Sequence, residues 1–139
     1  MVKKILLMLA LSLALFGFDK SVANGEIMGT SKCPVCNMDI HKFYKTSHGV
    51  KHKDGTKEHF CSMVCLKKGK KAGDTVYVAN AKTGKMIKAK SAVYVIGSDV
   101  PATMGAKKSK IAFATKSDAQ AFQKKHGGAI GTFEDALKR

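Results

Sequence analysis

Thr56-Lys-Glu-His-Phe60, running straight into Cys61-Ser-Met-Val-Cys65-Leu-Lys-Lys-Gly69, is the stretch on which the fold turns. Lys53-Asp54-Gly55 precedes it, and aspartate followed by glycine marks a tight turn. That turn predicts a hairpin of two short strands, Tyr44–His48 and Thr56–Phe60. Ser62–Lys71 then reads as a short helix with Val64, Cys65 and Leu66 inward, lysines outward, and Gly73 ending it. Thr75–Ala79 is β-branched and aromatic, hence a strand.

The same order of elements returns downstream. Met86–Ala89 and Ala92–Ile96 read as strands, Ser98–Lys108 as a loop, and Lys110–Ala114 as a strand ending near Phe113. Lys116–His126 is an amphipathic helix that buries Ala119, Ala121 and Phe122, with Gly127-Gly128 at its C-cap. Glu134–Lys138 is a last helix capped by Thr132. Phe60 leading a helix to Lys67-Lys68-Gly69 is echoed by Phe113 leading a helix to Lys124-Lys125-His126-Gly127. The pattern predicts an α+β fold of two small strand-strand-helix-strand units packed together, each a short antiparallel sheet with one helix. Residues 24–73 form the cysteine-bearing unit, which opens with a flexible lead-in over residues 24–32. Residues 74–139 form the second, which carries Met104 in its long loop.

All four cysteines fall in the first unit. Cys33-Pro-Val-Cys36-Asn-Met38 is answered by Cys61-Ser-Met63-Val-Cys65. Pairs at these spacings can converge on one ion. Thiolates joined by thioethers are soft ligands, which select Cu(I) over hard cations. In an oxidising compartment the same cysteines would ordinarily form two disulfides. The ligand-like spacing and the adjacent Met38 and Met63 favour metal, because a disulfide has no use for methionine.

Residues 1–23 read as a secretory signal peptide: Lys3 and Lys4, an apolar run from Ile5 to Phe18, then Ser21-Val22-Ala23 as a cleavage site. The run is short for a bilayer span. No cysteine follows it closely, so lipid attachment is not expected. The formal net charge is +15, and removing Lys3, Lys4, Asp19 and Lys20 with the leader lowers it by two. Arg139 is the sole arginine. Nucleic-acid recognition favours arginine, and an exported protein rarely meets nucleic acid, so no nucleic-acid partner is expected. The lysines suit a solvated surface, an anionic membrane surface or an acidic protein partner.

Among the histidines, His59 beside Cys61 is the best candidate ligand, while His41, His48 and His52 read as exposed polar residues. His126 closes a helix, where the dipole favours a cation. Met86 reads as strand core. Met104, between Pro101 and Gly105, has less packing reason to be apolar.

Cys33-Pro-Val-Cys-Asn-Met38, Val93-Tyr-Val-Ile-Gly-Ser-Asp-Val100, Pro101-Ala-Thr-Met-Gly105, Ile111-Ala-Phe-Ala-Thr-Lys-Ser-Asp-Ala-Gln-Ala-Phe122 and Lys125-His-Gly-Gly128 occur here in order. This set resembles the NosL family, accessory proteins of nitrous oxide reductase. The resemblance covers nearly all of the chain after residue 23. It implies two strand-strand-helix-strand units, similar to a domain of bacterial organomercurial lyase. It also implies Cu(I) binding in the periplasm and supply of copper to nitrous oxide reductase or another exported copper enzyme. The ligands it implies are Cys36, Met38 and Met104. The chain departs from the family in lacking a lipobox cysteine, in having Asn37 where glycine is usual, and in its extra thiols Cys61 and Cys65. Cys36 followed by Cys61-x-x-x-Cys65 also resembles small TRASH and treble-clef modules. A four-sulfur site with Cys33, Cys36, Cys61 and Cys65 therefore stands beside the copper set, with Zn(II) as the second candidate ion.

Two functions follow. The first is a Cu(I) carrier without catalysis, whose soft, exposed site lets a partner's ligands take the ion. The second is a zinc- or disulfide-stapled module for metal binding or protein interaction. An enzyme is not expected. A Cys-x-x-Cys pair could exchange disulfides, but the thioredoxin-like βαβ context is missing, and no Ser/His/Asp group, phosphate loop or paired carboxylate stands out.

Overall fold

The turn at Asp54–Gly55 forms as its composition dictates. Asp54 Oδ1 accepts from the Thr56 N–H at 2.9 Å and from the Thr56 hydroxyl at 2.6 Å. Gly55 takes φ 87°, a left-handed value that glycine adopts freely. In the computed structural model, which describes residues 26–102 and 106–139, this turn joins β1 (His48–Lys51) to β2 (Lys57–Phe60). The pair is antiparallel, with His48 opposite Phe60 and Lys51 opposite Lys57. The signal segment and Met104 lie outside the described residues. The strand expected over Tyr44–His48 begins only at His48. Ile40–Thr46 is a 3-10 segment instead, capped by Asp39 accepting from the His41 N–H. The Thr46 and Ser47 hydroxyls bond back to the Phe43 and Tyr44 carbonyls, local bonds that compete with strand pairing.

β2 leads into α1 (Met63–Gly69), which buries Met63, Cys65 and Leu66. The chain then returns as β3 (Thr75–Ala79) on the other edge of β1, and β4 (Met86–Lys88) pairs with β3. The first sheet has the order β2-β1-β3-β4. Thr75–Ala79 therefore belongs to the first sheet, although a division at residue 74 assigns it to the second unit. Val76 and Val78 decide this, because they complete the core begun by Val50 and Phe60.

The second sheet places β5 (Val93–Ile96) between β6 (Lys110–Phe113) and β7 (Ala129–Gly131). α2 (Lys116–His126) connects β6 to β7, capped by the Thr115 hydroxyl, which accepts from the Asp118 N–H, and ended by Gly127 at φ 72°. α2 buries Ala119 and leaves Phe122 half-buried, while Ala121, expected inward, is exposed. α3 (Phe133–Lys138) starts at a capping box between Thr132 and Asp135.

The echo between the halves is real at the level of register. Val93 opposes Phe113 and Ile96 opposes Lys110, as His48 opposes Phe60 and Lys51 opposes Lys57. In each half a central strand takes the hairpin partner on one edge and the post-helix strand on the other. The mixed helix and antiparallel-sheet architecture is the α+β class expected.

β5 is apolar throughout because both of its faces are covered. Tyr94 and Ile96 point into the main core with Phe60, Leu66 and Phe133, whereas Val93 and Val95 face a smaller cluster with Ile111, Phe113 and Ala119. A parallel bridge from Asn80 to Ala112 also ties the sheets together.

Candidate metal centre

Three pieces of chain deliver the four cysteines. The first is a knuckle over Cys33–Met38. The Asn37 N–H donates to the Cys33 carbonyl at 2.8 Å, and the Cys33 N–H donates to the Met38 carbonyl at 2.9 Å. A Lys32–Asp39 bridge closes its base. Asn37 has φ 62°, the left-handed region. Asparagine is the non-glycine side chain that best tolerates this geometry. The second piece is the end of β2, where the Cys61 carbonyl accepts from the Thr46 hydroxyl at 2.7 Å. The third is the first turn of α1, which carries Cys65.

The four Sγ atoms all lie within 4.8 Å of one another. Cys36 and Cys61 are 3.4 Å apart, and Cys61 and Cys65 are 3.7 Å apart. A tetrahedral four-thiolate ion with bonds of about 2.3 Å requires sulfurs about 3.8 Å apart, so the arrangement needs little adjustment to hold one. All four thiols are free, and Cys33, Cys61 and Cys65 are buried while Cys36 is half-buried.

The electrostatics are uneven. Burial raises the Cys33 thiol, but the backbones of Cys61, Cys36 and Val35, then the Cys36 side chain, stabilise its thiolate and bring it to about 7. Burial pushes the Cys65 thiol up to about 11, with the Cys33 thiolate adding to the shift. Cys61 is pushed up further, by burial first and then by Cys36 and Cys33. Four thiolates this close repel each other, so a cation is what allows them to ionise together.

His59, His48 and His52 are engaged elsewhere, whereas Met38 stays with this core. Met38 is half-buried and packs against the core cluster that contains the cysteines. His59 is fully buried with both ring nitrogens engaged. Nδ1 accepts from the Met28 N–H and Nε2 meets the Ser47 hydroxyl, each at 2.9 Å. Burial, with His41 nearby, lowers its pKa to about 4, so it is a neutral structural bridge here. His48 and His52, expected exposed, are buried, and only His41 matches that expectation. His48 Nδ1 donates to the Thr46 carbonyl, which leaves Nε2 to accept from Tyr94 Oη at 2.9 Å. Burial holds His48 neutral, with a pKa of about 3. His52 lies between Asp74 and Glu58, 2.8 Å from each.

Two supports of the centre leave little local trace in the chain. Thr46 fixes Cys61 from across the 3-10 segment. Met28, in a lead-in expected to be flexible, is buried and pins β2 through His59. Only an interleaving of hydroxyl residues before β1 hints at the first.

Fold and centre together define a small α+β protein with a soft, four-thiol metal site. The NosL family model matches residues 24–138, and the chain belongs to the NosL family. Its structure is similar to the crystal structure of the copper chaperone NosL from Shewanella denitrificans. The two are 26% identical with a TM-score of 0.61, covering 78% of this chain and 91% of that one. No curated protein matches the chain.

Proposed function

We propose that this protein is a Cu(I) carrier that works by ligand exchange and not as an enzyme. The observation that carries this reading is the convergence of four free thiols, three buried and one half-buried, in a member of the NosL family. The similarity to a protein described as a copper chaperone supports it. Soft sulfur donors suit Cu(I), and a partly open site suits transfer. The family resemblance proposes an alternative set at the same centre, Cys36 with the thioethers Met38 and Met104, and Cys36 is a ligand in either set. The compartment is proposed to be the periplasm, and the recipient an exported copper enzyme, nitrous oxide reductase by family resemblance. The lysine-rich surface would steer an acidic recipient toward the site.

One observation favours a second reading. A four-cysteine set is also a structural zinc set. Anaerobic protein offered Cu(I) and Zn(II) together separates the two. The carrier binds about one Cu(I) per chain and gives up zinc, because thiolate affinity favours Cu(I). Zinc retained at one per chain against excess Cu(I) would establish the structural module. For the recipient, nitrous oxide reductase from a host lacking this protein should lose copper; full copper content would reject the assignment.

A further inference from the structure

The four sulfurs are not equivalent, and the difference gives transfer a direction. Cys33 is 2% exposed and Cys61 and Cys65 are 0% exposed, whereas Cys36 is half-buried. Any incoming ligand must therefore approach the ion from the Cys36 side. The mechanics agree. Cys61 is held by the Thr46 hydroxyl at the end of a paired strand, and Cys65 sits in α1 between the buried Met63 and Leu66. Displacing either would pull on the sheet or the core. Cys36 rides on a turn whose neighbours Pro34, Val35 and Asn37 are all exposed, with Asn37 in a left-handed conformation that any relaxation of the turn would relieve. Val35, at 39%, is the exposed large apolar side chain among the described residues, and it immediately precedes Cys36 in the chain. It offers an acceptor an apolar contact at the point of transfer.

We infer that the ion leaves through Cys36: a soft thiolate or thioether of the acceptor binds the ion and displaces the Cys36 sulfur first, while Cys33, Cys61 and Cys65 still hold it. This rests on the carrier reading above. The step is a substitution at Cu(I). The acceptor–copper bond forms and the Cys36–copper bond breaks. The released thiolate takes a proton from water, and copper stays Cu(I), so no oxidant is needed.

Pulsed alkylation tests the order. The full-length protein is loaded with Cu(I) anaerobically, and bathocuproine disulfonate serves as the acceptor below stoichiometry. N-ethylmaleimide labels the free thiols, and mass spectrometry maps them, each rate normalised to that cysteine in the folded, copper-free protein. Cys36 should label about tenfold faster than the other three, as the sulfur that opens first. The transfer rate should rise in proportion to chelator concentration. Cys36→Ser, a change in an exposed turn, should speed transfer by about tenfold, on the scale of losing one supporting group at a metal site. Labelling of all four in step, a buried cysteine leading, a chelator-independent rate, or unchanged transfer in Cys36→Ser each overturns the inference while leaving the carrier reading intact. Copper that protects none of the four cysteines overturns the carrier reading itself.

Discussion

Asn37 sits at φ 62° in the knuckle that carries Cys36. Glycine there would lose no favourable backbone state, so Asn37→Gly should fold with unchanged or slightly raised stability. Asn37→Val forces a β-branched residue into the left-handed region and should cost about 1–2 kcal/mol in urea denaturation. Equal stability of both variants would show that the knuckle relaxes freely. Tyr44 makes a different point. It is buried, its hydroxyl has no hydrogen-bond partner among the described residues, and burial raises its pKa. An unsatisfied buried hydroxyl is a net loss, so Tyr44→Phe should raise stability by about 1 kcal/mol. A decrease would mean that the hydroxyl is satisfied in solution.

Between elements, His52 fastens the β1–β2 hairpin to the segment before β3. Its ring meets Glu58 from β2 and Asp74 from the turn before β3. Hydrogen bonds from Glu58 and then Asp74 raise the His52 pKa above its ordinary 6.5. For Asp74, burial opposes ionisation, but the Lys71 N–H and His52 outweigh it and hold its pKa below 3.8. A raised histidine pKa contributes fully below about 6.5, and the contribution is lost as pH rises through the folded value. The carboxylate contribution is present above 3.8 and is lost as pH falls through the depressed value. In thermal melts the stability advantage of the wild type over His52→Gln should therefore shrink as pH rises above about 6.5. Parallel curves for both proteins would show that the clamp contributes nothing.

Across the molecule, the two sheets meet through a buried polar contact between their central strands. Tyr94 Oη of β5 bonds His48 Nε2 of β1, and the rings stack at 6.0 Å. Tyr94→Phe strands a buried imidazole nitrogen and should cost about 1–3 kcal/mol, opposite in sign to Tyr44→Phe. The same substitution thus tests whether each hydroxyl is satisfied. Metal should act on the whole fold as well, because the four cysteines join the knuckle, β2 and α1. Free Cu(I) at a hundred times its dissociation constant should stabilise the protein by about 2.7 kcal/mol, read as a rise in Tm. Cys61→Ser should abolish that rise. A metal-dependent Tm that survives Cys61→Ser would place the ion elsewhere.

The sequence by itself determined the local and periodic features. Asp54-Gly55 set the first hairpin, Phe60 and Phe113 marked each strand-to-helix passage, and the paired cysteines flagged a soft-metal protein of the NosL family. Those signals depend on neighbours a few residues apart, and the chain's own chemistry supplies them. Pairing between distant segments was out of reach. Nothing near Thr75 says that it returns to β1, because an apolar strand carries no mark of which sheet edge it will cover. Nor could proximity to Cys61 tell that His59 turns both nitrogens to Met28 and Ser47, since those partners arrive from two other segments. His48 and His52 read as exposed polar residues, but packing against Tyr94 and against Glu58 and Asp74 buries them. The spacing of Cys33, Cys36, Cys61 and Cys65 permitted a common site. The fold brought the four together and left Cys36 alone partly open, because burial is a property of the assembled core and not of any one stretch of chain.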